Sequence, residues 1–326
     1  MPHATVPEYQ HIQVTELAPT FGAEVSGIDF TKPVPPEVFQ EISDASAKYG
    51  VLVFRKAGLD DARHVEFSRL FGELDDVKPY MTLGRINRFP FLELFDVSNQ
   101  DDDGSIVQVG SKREVMGRGN GLFHCDSAFN PRRAGYSLLR AHELPPPGHG
   151  GNTDFADTRT AFDDLPEDLK TQLLQNDYIG ANSLWHSRRK AAPDSEFVQD
   201  FDPEAYPFGR HRIVQLHERS GRMNLYIANH LHHLEYPDGS RVPEPESTLL
   251  IERLLAHATQ DKYVISVEWR ENGDVICWDN TAAMHRAGDG KFAGKFKRDM
   301  RRTTVHDSSS QAWGLNERTT KRMGLP

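Results

Sequence analysis

At 326 residues the chain suffices for two average domains or one elaborated one, and 37% apolar residues plus 25 glycines reach the usual globular level, excluding disorder and fibrous repeats. No run approaches the ~18 consecutive apolar residues of a membrane-spanning helix, and the opening MPHATVPEYQ has no basic stretch followed by an apolar one, so a soluble, unexported, cytoplasmic protein is expected. A formal charge of −10 opposes nucleic acid and anionic membranes as partners, and two cysteines, Cys125 and Cys277, are too few for a disulfide framework.

In chain order, FGAEVSGIDF at 21–30 is strand-like, and PPEVFQEISDASAKYG at 35–50 places Val38, Ile42 and Ala45 at helical spacing, with Gly50 suited to end the helix. VLVFR at 51–55 is a short apolar run of the buried-strand type. Asp60 or Asp61 can then cap a helix through DDARHVEFSRLFG that closes at Gly72. Residues 73–121 show little periodicity and are expected as a long lid-like loop with one strand at 91–97. From 122 the pattern changes to eight strand-like runs: LFHCDSAF, YSLLRAHEL, GNTDFAD, RHRIVQLH, MNLYIAN, YVISVEW, DVICWDN and RDMRRTTV. Helical inserts interrupt them at 164–176 and 245–260, the second with an apolar stripe through Leu249, Leu250, Arg253, Leu254 and Ala258. Such runs suit a closed double-sheet fold, mostly β with helical elaborations. No linker divides the chain, and Trp313 is the expected anchor of the polar tail after Val305.

Phe123-His124-Cys125-Asp126-Ser127 is the most informative stretch. In a strand, alternate side chains share a face, so His124 and Asp126 converge while Cys125 turns away as a buried small hydrophobe. An imidazole and a carboxylate so placed fill two vertices of a metal's coordination sphere. A second imidazole would complete the 2-His-1-carboxylate face of non-haem iron oxygenases. A hydrogen-bonded His–Asp pair of purely structural role satisfies the same triplet. His64-Val65-Glu66 repeats the spacing within a predicted helix, where residues i and i+2 diverge. His230-Leu231-His232-His233 offers a rival zinc site of hydrolase type, or else a polar pocket wall or turn. Trp278 and Asp279 read as structural, Asp279 binding turn amides, ahead of His285. Strand alternation puts Arg298, Met300 and Arg302 on one face and Arg301 on the other. Two inward guanidiniums need anions, from protein carboxylates or from ligands, unless KFKRDMRR is a solvated edge. Arg132 and Arg133 read as surface charges, and HSRRK at 186–190 as a solvated loop.

Taken together, these residues resemble the taurine dioxygenase and 2,4-dichlorophenoxyacetate dioxygenase family of Fe(II)- and 2-oxoglutarate-dependent oxygenases, closer to the 2,4-dichlorophenoxyacetate branch. The likeness runs from VLVFR (51–55) through FSRLFGE (67–73), FDVSN (95–99), GNGLFHCDSAF (119–129) and PGHGGNTDFADTRTAFDDL (147–165) to WDNTAAMHR (278–286) and RDMRRTTV (298–305). It implies one dioxygenase domain: an α/β opening and lid loop over 1–121, a double-stranded β-helix or jelly-roll core over 122–305, and a tail over 306–326. It also implies His124, Asp126 and His285 as iron ligands, Thr153 and Arg298 on the 2-oxoglutarate carboxylates, and Arg302 on the acidic group of the substrate. Asn120, His230 or Leu231, and Trp185 fall where the family lines its substrate pocket. The implied cosubstrates are 2-oxoglutarate and O2, with succinate and CO2 as coproducts, and the implied substrate is a small carboxylate-bearing anion. A sulfonate substrate, or desaturation or cyclisation of an amino-acid-like metabolite, is a variant on the same chemistry. A non-catalytic or zinc-binding β-barrel is the alternative of another class. A homodimer or homotetramer is implied as well, and the segments 74–118 and 182–210 depart most from the family pattern.

Overall fold

The computed structural model describes residues 9–81 and 86–319, so most of the opening MPHATVPEYQ and the end of the tail lie outside the described residues. Val275–Asp279, buried at every position, sits at the centre of a seven-stranded sheet. The strand order is Gln13–Ala18, Phe21–Ser26, Val51–Phe54, Val275–Asp279, Ala134–Glu143, Asp299–His306 and Phe95–Asp96. Among the described residues the pairings are antiparallel except between Phe21–Ser26 and Val51–Phe54.

Alternation decides which layer each side chain joins. Val275 and Cys277 pack with Leu138, Phe54 and the Ile42, Ala45 and Tyr49 stripe of helix Pro36–Tyr49. Ile276 and Trp278 join Leu139, Phe155 and Met300 on the opposite face. A strand covered on both faces has to be apolar throughout, which is why these runs lack a polar side. The second layer is split: Thr153–Asp157 lies between Val264–Val267 and Ala283–Ala287, Ile179–Asn182 between Leu231–Glu235 and Gly209–Arg212, and Val214–His217 pairs with Arg222–Leu225. Helices Thr158–Asp163, Glu167–Asn176 and Glu246–Ala258 cover it through Phe162, Leu169, Leu173, Leu250 and Leu254. The architecture is the expected jelly-roll, mostly β with helical elaborations.

Local signals placed the element ends well. Helix Pro36–Tyr49 stops at Gly50, whose φ of 71° suits a residue without Cβ, and Asp60 caps helix Asp61–Arg69 by accepting from the Arg63 N–H at 2.8 Å. Other expectations need correction. Strand Gln13–Ala18 precedes the first expected strand, the one at 91–97 shrinks to Phe95–Asp96, and the expected loop contains helix Lys112–Gly117. LFHCDSAF forms a single bridge at His124 and then turns, with Ser127 at φ 55°. HSRRK belongs to helix Leu184–Ala191, capped by Ser183 and fixed by Trp185 stacked on Phe201 at 3.7 Å. In helix Glu246–Ala258, Leu249 is exposed, while Ile251 and Leu255 join the buried side.

Arg133 is not a surface charge. Only 2% exposed, it bonds Asp307 at 2.8 Å and Gln215 at 2.6 Å and lies 4.3 Å over the Tyr226 ring. The tail buries it: Arg133 N–H donates to Ala312 O, and Asp307 N–H to Arg133 O. Asn316 adds bonds to Pro131 O and Arg210 O at 3.1 Å, so Asp307 and Asn316 anchor this segment alongside the half-buried Trp313.

Candidate metal centre

Two backbone hydrogen bonds bring the distant imidazoles together. His124 N–H donates to His285 O at 2.9 Å, and His285 N–H donates to His124 O at 2.8 Å, forming an isolated antiparallel bridge. Residues opposed in such a bridge project side by side, and here the rings lie 4.2 Å apart. Two residues after His124 the chain turns and aims Asp126 at both. Asp126 Oδ1 is 3.9 Å from His124 Nε2, and Oδ2 is 3.7 Å from His285 Nε2. These separations exceed a hydrogen bond, so the purely structural His–Asp bond is not what the fold has built. The three buried donors lie within 4.8 Å of one another, the one such group among the described residues.

Protonation follows from the surroundings. His124 Nδ1 is 2.7 Å from Leu122 O, which can only accept, so Nδ1 carries the proton and Nε2 turns its lone pair to the centre. Burial pulls the pKa of both His124 and His285 down and keeps the rings neutral. Burial alone would raise Asp126, yet the Arg302 guanidinium, helped by the Ser137 hydroxyl, holds it well below the usual carboxylate range. Two neutral imidazoles beside an ionised carboxylate match the donor set that a divalent iron takes. Arg302 Nη1 bonds Asp126 Oδ1 at 2.6 Å, and Ser137 Oγ donates to Oδ2 at 2.7 Å. His230 closes one side, its ring 5.6 Å from that of His124 and its Nδ1 2.8 Å from Ser187 Oγ; burial drives its pKa down too.

The arginines sort as alternation requires: Arg301 leaves by the opposite face to pair with Asp61 at 2.6 Å. Arg298 Nη2 donates to Gly151 O at 3.2 Å, no carboxylate among the described residues pairs with it, and burial lowers its pKa to about 10. Gly151 permits this approach, since a Cβ there would lie 2.9 Å from the Phe292 ring and 3.3 Å from Arg298 Nε. Thr153 opens the strand in which Phe155 pairs with His285, and its Oγ1 accepts from Trp269 Nε1 at 3.1 Å.

The remaining expected pocket residues separate. Asn120 is exposed on the 3-10 turn Arg118–Gly121, with no hydrogen bond to the triad. Leu231 points into the apolar core against Gly180 and Ile213, leaving its neighbour His230 at the site. Trp185 lies in its stack with Phe201, not against a triad ring. His232 and His233 meet each other at 2.9 Å, and His233 also meets Glu235, so the rival zinc cluster does not assemble. His64 is buried against Leu138 O at 3.1 Å, a core histidine. Cys125 packs in the core, and burial pushes its thiol pKa up. Sequence reasoning passed over Ser137, which sits in an ordinary strand, and Asn280 behind it; only the neighbouring Trp278-Asp279 pointed near the latter.

Comparison with known proteins identifies the family. Residues 13–304 match the family described as Taurine catabolism dioxygenase TauD, TfdA family. The chain is 33% identical over 301 residues to an alpha-ketoglutarate-dependent 2,4-dichlorophenoxyacetate dioxygenase of Burkholderia sp. (strain RASC), covering 89% of this chain and 92% of that one. It is 28% identical over 285 residues to an (S)-phenoxypropionate/alpha-ketoglutarate-dioxygenase of Sphingobium herbicidovorans, covering 84% and 88%. The crystal structure of AAD-2 in complex with Mn(II) and N-oxalylglycine superposes with a TM-score of 0.82 at 32% identity, covering 93% of this chain and 100% of that one.

Proposed function

This chain belongs to the TauD, TfdA family and is an Fe(II)- and 2-oxoglutarate-dependent dioxygenase, and we propose that it oxidises a C–H bond of a small carboxylate-bearing substrate of the aryloxyalkanoate type. The observation that carries this reading is the bridge-built triad flanked by two inward guanidiniums, one with no carboxylate partner among the described residues. In it, His124, Asp126 and His285 would hold the iron. Iron and 2-oxoglutarate supply O2-dependent oxidative decarboxylation: substrate C–H, 2-oxoglutarate and O2 become substrate C–OH, succinate and CO2.

The rest is positioning. Arg298, a partly buried cation beside Gly151, takes a carboxylate of 2-oxoglutarate, with Thr153 close by on the strand that pairs with His285. Arg302, next to the iron ligand Asp126, takes the substrate anion and so fixes one carbon near the metal; misplacement by ~1 Å costs about 100-fold in rate. His230 walls the substrate side next to His124.

One dioxygenase domain spans the chain, a reading supported by a sheet that joins Gln13–Ala18 to Asp299–His306. A homodimer or homotetramer, measurable by light scattering, and a cytoplasmic location, suited to the free buried Cys125 and Cys277, complete the proposal. Succinate release across aryloxyalkanoates, sulfonates, amino acids and short acids tests it. Turnover confined to sulfonates or amino acids would overturn the substrate class.

A further inference from the structure

Behind Asp126 lies a hydrogen-bond chain whose direction is dictated by its first member. The indole Nε1–H of Trp278 can only donate, and it meets Asn280 Oδ1 at 3.1 Å, as does the backbone N–H of Asp126 at 3.0 Å. Two donors on one atom identify that atom as the amide oxygen. The amide nitrogen of Asn280 therefore faces Ser137 Oγ at 3.0 Å and Gly135 O at 3.3 Å, and donates to both. Ser137 Oγ accepts one of these bonds, so its single hydrogen is left for Asp126 Oδ2, 2.7 Å away. Ser137 and Asn280 are fully buried and Trp278 is 1% exposed, so no solvent competes for these bonds. Asn280 is itself pinned by its own N–H on Gly135 O at 2.7 Å.

We propose that Ser137 and Asn280 are positioning residues for the metal centre: Asn280 holds both the backbone of Asp126 and the hydroxyl of Ser137, and Ser137 orients the Asp126 carboxylate towards the two imidazoles. The assignment rests on His124, Asp126 and His285 being the iron ligands. Outer partners of this kind alter metal affinity about 10–100-fold when removed. In Ser137→Ala the hydroxyl is lost with little change in volume. In Asn280→Asp the position can no longer donate to Ser137, whose hydroxyl then turns to the new carboxylate and abandons Asp126.

The test is Co(II) titration of the full chain without 2-oxoglutarate, following the visible bands of the bound ion, with apoprotein melting as the check on folding. Ser137→Ala should bind Co(II) about 10–100-fold more weakly and with altered band intensity while its apoprotein melts near the wild-type temperature. Asn280→Asp should do likewise, and the double variant should be no worse than the weaker single. Wild-type affinity and spectrum in a folded Ser137→Ala, or multiplying losses in the double variant, would overturn the proposal. If Asn280→Asp does not fold, Ser137→Ala decides alone. His285→Ala separates the two readings: wild-type Co(II) binding there removes the ligand assignment itself, whereas its loss beside an unaffected Ser137→Ala removes only the positioning role.

Discussion

Arg298→Ala tests the anion-binding assignment most directly. The drop of its pKa from the ordinary 12.5 to about 10 has one cause, burial with no countercharge. At about 1.4 kcal/mol per pH unit this corresponds to about 3 kcal/mol of unrelieved cost, and the solvent that still reaches the side chain trims it to about 2–3. A dicarboxylate that pairs with the guanidinium recovers this on binding. Arg298→Ala should therefore weaken 2-oxoglutarate binding roughly 30–150-fold while leaving the affinity for the substrate anion within about twofold. Arg302→Ala should do the reverse. The assay is anaerobic titration of the Fe(II)-loaded protein, reading the weak visible charge-transfer band, with succinate release against substrate concentration for the second ligand. Because Arg298 has no carboxylate to strand, its removal should also leave the melting temperature of the apoprotein unchanged or slightly raised. Equal effects of the two variants on both ligands, or a marked fall in apoprotein stability for Arg298→Ala, would refute the reasoning.

Three further outcomes follow from burial. His64 and His211 titrate near 3 because burial disfavours the imidazolium, with Arg140 and Arg301 adding to this at His64 against Asp61, and Arg133 at His211. Below pH 6.5 the unfolded chain takes up protons at these two positions that the folded one refuses. These two groups by themselves should lower the unfolding free energy by up to about 2.7 kcal/mol per pH unit from 6.5 towards 3, with His124, His230 and His285 acting in the same direction, and urea titrations giving a flat profile from pH 7 to 4 would contradict it. Arg133→Ala strands the buried Asp307 and should cost about 3–5 kcal/mol in urea unfolding, against less than about 1 for Arg132→Ala on the partly exposed Glu73 pair; similar small losses would return Arg133 to the surface. Chelation should lower the melting temperature, and Mn(II) at 100 times its Kd should restore about 2.7 kcal/mol in wild type but nothing in His285→Ala; an equal gain in that variant would move the metal elsewhere.

What the amino-acid order determined by itself was whatever depends on near neighbours. The two-residue spacing of His124 and Asp126 is enough to put both on one side of an extended segment, and the opposite exits of Arg301 and Arg302 follow from the same alternation. Asp60 and Gly50 mark helix ends because capping is settled within one turn. The apolar run at 51–55 predicts a buried strand and DVICWDN at 274–280 a strand, and both are found in the central sheet.

Tertiary structure alone decided the partners. That His285 meets His124 depends on two hydrogen bonds between distant segments, and no local pattern encodes that pairing. The same holds for Arg302 on Asp126, for Ser137 and Asn280 behind it, and for Arg133, which looks like a surface cation until the tail closes over it. The family resemblance implies Trp185 and Leu231 at the pocket. Packing turned each elsewhere, since an indole that can stack on Phe201 and a leucine facing Gly180 lose more water-exposed area in the core than they would at an open site. Local spacing sets which way a side chain leaves the backbone; what it meets is set by how the sheets close.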